Sequence, residues 1–461
     1  MPRLTCLILL GLSTLHPTLA PASNITLGAP GDTLTAAALM TALQKAAPGD
    51  TLVADSLVVT GPLDLPRAGI DRIDAVLQLN GTRFIDSVRA DGVDFAGGIH
   101  GRGARFHTAL SCRGARFNGL NYEGARFDQK ADFSEAAFDG FTLFNRSRFD
   151  GPADFAVAFF NGIASFDSTR FAAGALFANA TFKGWANFAN AHFHGPASWR
   201  YSSSGWVTFA KARFDQTLDL SSASLEKRGD FRAARFDSAQ VLLGGILSAQ
   251  FLLDDWDQIR NRLFFIEGDW AQQDTLATNQ ITNLRQVATV YSLLQSQFRD
   301  QGLYEEENNC YYDLKQIERA YYYRRLDWHP ASWWQAVKYT VLWATCGYGV
   351  RPQHTIWLGL ALVLACALCY YQLGAIQERG DQAGPPPRRP RWQRWRDALY
   401  FSLNTFTTVG YGDWYPTDDH LRLGRRRLPF IHFRTIAMIE GLVGWILITL
   451  FIISLGKTWI R

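Results

Sequence analysis

Seven consecutive residues, Thr407-Thr408-Val409-Gly410-Tyr411-Gly412-Asp413, offer main-chain chemistry more than side-chain chemistry. Gly410 and Gly412 lack a Cβ and can take backbone angles that aim successive carbonyls at one axis. The Thr408 hydroxyl adds an oxygen at the inner end. Val409 and Tyr411 would point away from that axis and wedge the loop against a short helix behind it. Asp413 stands at the mouth, where several copies would concentrate cations. Such carbonyls can take the place of the water around a bare cation, provided several loops share the axis.

The flanking elements must hold that loop in place. The apolar run over 355–376 carries no formal charge, and a second over 435–456 carries Glu440 alone before Lys457's neighbourhood is reached. Each is long enough to cross a hydrocarbon core of roughly 30 Å. Between them lie Gly384-Pro385-Pro386-Pro387 and an arginine cluster, a polar turret, and then Trp395 to Phe406, with the length and pattern of a pore helix. The C-terminal end of that helix would favour a cation. Turret, pore helix and loop together fill 377–434. Glu440 is costly in a span and is expected to face protein or water, with a hydrogen bond behind the loop as one reading. Gly441 and Gly444 read either as a gating hinge or as close helix packing. Residues 331–354 are apolar and Trp-rich but hold Gln335, Lys338, Gly347 and Gly349, which predicts an amphipathic helix at the membrane interface, with a full extra span as the other reading.

The order span, pore helix, Thr408-Val409-Gly410-Tyr411-Gly412, Asp413, span resembles the two-transmembrane, one-pore potassium channel family, whose filter carries this same string. The resemblance covers about residues 333 to 461. It implies K+ as the permeant ion at Thr408, Val409, Gly410 and Tyr411, no cofactor, and a homotetramer around one pore. It leaves Glu440, Gly441 and Gly444 as candidates for gating or filter support. Two alternatives stay open: a weakly selective cation channel, and a membrane-anchored repeat scaffold without conduction.

Residues 84–250 repeat. Phe133, Phe144, Phe155, Phe166, Phe177, Phe188 and Trp199 form one series, and Phe138, Phe149, Phe160, Phe171, Phe182 and Phe193 another, so the spacing alternates five and six. The residue two before each is usually small, as at Ala131, Ala136, Ala153 and Ala158. The register slips once after Trp199 and resumes at Phe209. Neither a helical period nor strict alternation explains this. A coil that turns a corner every five or six residues does, with each large residue entering the axis of a stack whose coils lean on one another. The segment resembles the pentapeptide-repeat family, which implies a right-handed, four-sided β-helix. The fold class is thus a β-solenoid, followed by an α-helical hairpin and an α-helical two-span pore module.

Before the ladder, residues 1–22 read as a signal peptide, from Arg3, the apolar Thr5 to Leu15 and the small Ala20-Pro21-Ala22. Residues 23–83 read as a cap on the open end, with a helix over Leu34 to Ala46 and a strand over Thr51 to Val59. After the ladder, residues 251–330 read as a helical connector, with helices over Asn283 to Gln301 and Leu303 to Arg325 that break at Gly302 and pack as a hairpin. The dense tyrosines there serve either that packing or an aromatic belt.

The net charge of +4 is small for 461 residues and suggests no nucleic-acid partner. Arginines balance aspartates along the repeats, so they lack the single-sign field that mimicry of DNA needs. His107, His192 and His194 read as surface residues rather than metal ligands. No nucleophile–base set or phosphate loop points to an enzyme. Partners are membrane lipid, further copies of the chain, and an unknown ligand or protein at the repeats. The inter-span loop holds about eleven arginines, and such excess usually stays in the cytoplasm. With the leader, this predicts a bacterial inner-membrane protein whose repeat domain is periplasmic and whose pore is inverted; if Trp333 to Val350 crosses as well, the ordinary filter orientation returns with the repeats still outside.

Overall fold

The computed structural model describes residues 23–267, 274–277, 284–325, 330–374, 376–378, 390–409, 414–416, 420–423 and 426–459. The expected signal peptide lies outside the described residues, as do Gly410, Tyr411, Gly412 and Asp413. The chain divides into two units, Met1–Asp254 and Asp255–Arg461.

The first unit is a parallel β-solenoid. One coil runs through the strand pairs Arg116–Phe117, Leu120–Asn121, Arg126–Phe127 and Ala131–Asp132, and Ala137–Phe138 then lies over Arg116–Phe117. Each pair bonds in parallel to its counterpart one coil on. The two phenylalanine series form four columns of stacked rings. Phe133, Phe155 and Phe177 stack at 5.1 and 4.9 Å with nearly parallel planes. Phe127, Phe149 and Phe171 stack at 4.5 and 5.1 Å. Between columns the rings meet edge to face, as Phe133 meets Phe144 at 5.6 Å. Rings set by the strand spacing of about 4.8 Å are close enough to stack, and Ala131, Ala136, Ala153 and Ala158 leave room beside them, fully buried.

The alternation of five and six comes from two kinds of corner. After each member of the first series the chain makes a tight turn: the Ala158 amide donates to the Phe155 carbonyl at 3.2 Å, and Val157 between them has φ +60°. That positive φ at the third position is the type II geometry. The six-residue step is a wider corner without such a residue. The slip after Trp199 is one residue lost at a wide corner: Thr181–Asn187 pairs with the shorter Ser203–Thr208 across a register shift, and Ser204 takes the inward place of a phenylalanine.

The cap expected over 23–83 is largely coil instead. Asn24–Thr26 pairs with Thr51–Val53, and Thr33–Thr35 with Val58–Thr60, which pairs in turn with Arg83–Phe84. The inward residues of these coils are aliphatic, such as Leu57, Val59, Ile73 and Leu77, so the aromatic signal is absent although the path is the same. The strand expected over Thr51 to Val59 is two strands with a corner at Ser56, φ +58°. One inserted helix, α1 (Ala36–Lys45), does cap. Thr35 Oγ1 accepts from the Ala38 amide, and Leu39 and Leu43 help line an apolar cavity of about 40 Å³ at that end of the core.

Residues 251–330 are not wholly helical: Phe251–Leu252 still pairs within the solenoid. Leu263–Glu267 and Asp274–Ala277 form an antiparallel hairpin, in keeping with the β-prone Leu-Phe-Phe-Ile run. The helices α2 (Leu284–Asp300) and α3 (Tyr304–Arg324) then follow with Gly302 at φ +74° between them. Trp256 is fully buried against them, its indole N–H donating to Asp313 at 2.7 Å and its ring edge-on to Tyr291. Arg299 pairs with Glu307 across the turn at 2.5 Å.

Helix α4 (Pro330–Cys346) lies along α3. Tyr322 stacks on Tyr339 at 5.5 Å, and the Trp343 indole donates to the Tyr312 hydroxyl at 3.1 Å. Several of the connector tyrosines thus serve helix packing. The 17 residues of α4 span about 26 Å, short of the membrane core, and α4 is not among the helices long and apolar enough to cross.

Candidate functional site

Among the described residues, two helices are long and apolar enough to cross a membrane, α5 (Pro352–Leu373) and α7 (Phe433–Trp459). Only 22% of each apolar window is buried within the chain. A core helix of a soluble protein would hide most of its apolar surface; here Trp357, Leu360, Leu364, Leu442, Trp445 and Ile453 are exposed. The α5 helix begins after the turn Gly347–Gly349, where the Thr355 hydroxyl donates to the Thr345 carbonyl at 2.7 Å, and ends on Gly374 in the left-handed region.

Helix α6 (Arg391–Phe406) is wedged between them. It begins one turn before the expected Trp395, directly after Pro390, and ends at Phe406 as expected. Tyr370 of α5, Ala398 and Phe401 of α6, and Phe433 and Ala437 of α7 form its buried core, with Trp414 packed against them. Tyr370 and Phe401 meet edge to face at 5.0 Å.

The loop leaves α6 in a defined path. The Thr407 amide bonds to the Leu403 carbonyl, that of Thr408 to Thr405, and that of Val409 to Asn404. Thr408 has φ +55°, a left-handed conformation that is costly for a β-branched residue. Val409 is 81% exposed and does not wedge against α6 in the single chain. At the far end of the loop, Trp414–Pro416 pairs antiparallel with Ile376–Glu378, directly after α5. His420–Leu423 pairs with Arg426–His432. The segments between the two spans thus contain two small sheets that composition alone did not announce. The first of them ties the loop's exit to the end of α5.

Beside Thr408 opens a cleft of about 600 Å³, lined by Asn404, Thr405, Thr408, Met438, Gly441 and Leu442. The C-terminal end of α6, where the helix dipole is negative, borders it.

Glu440 is 2% exposed. Its carboxyl contacts two hydroxyls on different helices: Tyr370 of α5 donates to Oε2 at 2.6 Å, and Ser402 of α6 contacts Oε1. The Ser402 hydroxyl also lies 2.9 Å from the Val363 carbonyl. One carboxyl thereby joins both spans to the helix that carries the loop. Sequence reading singled out Glu440 but neither partner; a tyrosine in an otherwise apolar run and a serine in the pore helix were the available signals.

Gly444 sits against the end of α6: a Cβ there would lie 2.2 Å from the Phe406 carbonyl oxygen. Gly441 is less crowded, at 3.3 Å from the Thr405 oxygen. From the other side, a Cβ on Gly359 of α5 would meet the Phe406 ring at 3.0 Å. Of the two readings for Gly444, this geometry is that of close helix packing.

On the solenoid, His192 and His194 come together on Asp215, at 3.0 and 2.7 Å from one carboxylate oxygen, while His107 contacts Asp128 at 2.9 Å.

The second unit thus sets a shorter helix between two helices long and apolar enough to cross a membrane. Residues 358–461 match the ion channel family, and residues 144–192 and 185–224 match the pentapeptide repeats. Comparison with curated proteins found no match. The C-terminal part of the chain is thus similar to the ion channel family, and part of the β-solenoid to the pentapeptide repeats.

Proposed function

We propose that the ion channel is selective for K+ and that its pore is a homotetramer. The observation that carries this reading is the string Thr408-Val409-Gly410-Tyr411-Gly412 at the end of a helix wedged between two spans. In the reading, main-chain carbonyls of Thr408 to Tyr411 from four loops replace the water of K+, Gly412 completes the loop, and Asp413 concentrates cations at its mouth. K+ is the permeant ion, and no cofactor takes part.

Assembly is supported by the surface left bare in one chain. Leu403, Val409, Met438, Ile439 and Leu442 are exposed around the cleft, and a single loop cannot ring an ion. The wedge expected of Val409 would then form only once neighbouring copies close around it.

The solenoid is proposed as a platform or sensor. Lys457 near the end of α7 lies 4.3 Å over the Tyr311 ring of α3, so the connector reaches the second span directly. The arginines of the inter-span loop favour a cytoplasmic filter entrance and a periplasmic solenoid in the bacterial inner membrane. A reporter fused after Arg461 tests this: alkaline phosphatase activity supports the inverted pore, and a cytoplasm-only signal rejects it.

Purified protein in liposomes tests the function itself. The reading expects a particle of four chains and K+ efflux that stops when Gly410 is replaced by Ala. A strictly monomeric particle, or sealed vesicles, would favour the membrane-anchored scaffold.

A further inference from the structure

One face of the solenoid presents two columns of side chains to solvent. Arg126, Arg148, Arg170, His192, Arg213 and Arg235 stack in register, one per coil. Two residues further along each strand is usually an aspartate, and the arginine pairs with it: Arg126 with Asp128 at 2.7 Å, Arg148 with Asp150 at 2.5 Å, Arg213 with Asp215 at 3.0 Å. At one coil both positions are histidine, His192 and His194, so an ion-pair rung is replaced by two imidazoles.

These imidazoles converge. His192 Nε2 and His194 Nδ1 lie 3.0 and 2.7 Å from the same Oδ2 of Asp215, one coil on, and the ring centroids are 3.6 Å apart. The three donor atoms lie within 4.8 Å of one another. Arg213 engages the other oxygen, Oδ1, and leaves Oδ2 to the imidazoles. All three side chains are about one-quarter exposed, so an ion in solution can reach them.

We propose that His192, His194 and Asp215 form a binding site for a first-row transition-metal dication, with Zn2+ the best fit. Two imidazole nitrogens and one carboxylate oxygen are a donor set that Zn2+ accepts, with the remaining position left to water. At metal–ligand distances of about 2.0–2.2 Å, tetrahedral donors stand about 3.4 Å apart. The present contacts need to open by less than about 1 Å, which rotation of partly exposed side chains provides. The ion would bridge two adjacent coils, because both histidines come from one and Asp215 from the next. His107 is the internal contrast: it meets Asp128 alone, and Arg105 and Arg126 already hold that carboxylate.

The test uses full-length protein in detergent, stripped with a chelator. Zn2+ is titrated against a chromophoric competitor, and Co2+ is loaded separately for its visible spectrum. One ion per chain is expected, with cobalt d–d bands and no thiolate charge-transfer band. Replacing His192→Arg together with His194→Asp restores the rung found in neighbouring coils. That variant should keep the circular dichroism of the parent and bind Zn2+ at least about tenfold more weakly, while His107→Ala binds as the parent does. Equal affinity in the restored-rung variant, absence of binding in the parent, or a thiolate band would overturn the site and leave a hydrogen-bonded surface cluster only.

Discussion

Gly444 of α7 and Phe406 of α6 meet so closely that a methyl group on the glycine would lie 2.2 Å from the Phe406 carbonyl oxygen. Phe406 is the last residue of the helix from which the loop departs, so this contact sets where the loop begins. Backbone cannot yield as a flexible side chain can. Gly444→Ala should therefore displace the end of α6, lower the thermal midpoint and reduce ion flux. Gly441→Ala, with 3.3 Å available, should do so less. Gly456→Ala, where a Cβ meets nothing within 4 Å, should leave both unchanged. Equal effects at all three positions would mean that packing on α6 is not what Gly444 supplies.

Glu440 ties Tyr370 and Ser402 together in the buried centre of the module. Tyr370→Phe removes one hydrogen bond and should cost about 0.5–1.5 kcal/mol, whereas Glu440→Ala strands the buried Tyr370 hydroxyl at about 1–3 kcal/mol and leaves Ser402 the Val363 carbonyl alone. Effects of Tyr370→Phe and Ser402→Ala should be non-additive, which a double-mutant cycle measured by thermal unfolding would reveal. Glu440→Gln with conductance, open probability and assembly all unchanged would remove the carboxyl from any role in supporting the loop.

In the solenoid, Phe155 is fully buried between Phe133 and Phe177. Phe155→Ala should destabilise by about 3–5 kcal/mol, and because each coil leans on its neighbours the loss should spread along the stack. Hydrogen exchange would show protection falling first at the coils that contain Phe133 and Phe177. At the following corner the sign reverses. Val157 is β-branched at φ +60°, a conformation that costs roughly 1–2 kcal/mol for most residues. Val157→Asn should raise the thermal midpoint, as asparagine already serves at the equivalent corners Asn179 and Asn190.

The arginine–aspartate ladder makes solenoid stability sensitive to acid. Burial alone would raise the Asp128 carboxyl, but the Arg105 and Arg126 guanidiniums outweigh it and hold the group below the usual aspartate range. Asp132 is held low in the same way by Lys130 and Ser134 against its burial. A depressed folded pKa means that the stabilisation is complete above the unfolded value of about 3.9 and is lost as pH falls through the folded value. Thermal midpoints should hold from neutrality to about pH 4 and then decline. Arg126→Gln should lower the plateau and flatten that decline.

The sequence disclosed the elements whose period is repeated or whose chemistry is uncommon. Phenylalanines at alternating five and six announced the coil, since one inward position per side recurs along the whole stack. The coils before Phe84 follow the same path with Leu57, Val59 and Ile73 inside, and aliphatic residues at those spacings look like any strand. The helices α2 and α3 were legible within a residue or so because Gly302 punctuates them. The strand pairs Leu263–Glu267 with Asp274–Ala277, and Ile376–Glu378 with Trp414–Pro416, were not, since their pairing is decided by tertiary neighbours rather than by local pattern. At the loop, residue types identified Thr408 and Val409, while the grip on Phe406 by Gly359 and Gly444 depends on how three helices cross. The cluster on Asp215 was visible in principle, because His192 and His194 stand where most coils carry arginine and aspartate.

The most direct test of the channel reading is a bi-ionic recording from purified full-length protein in a planar bilayer, K+ on one side and Na+ on the other. A reversal potential far from zero and close to the K+ limit is the expected result. A potential near zero with sizeable current would make this a pore that does not distinguish the two ions and would contradict selection by the Thr408 to Tyr411 carbonyls.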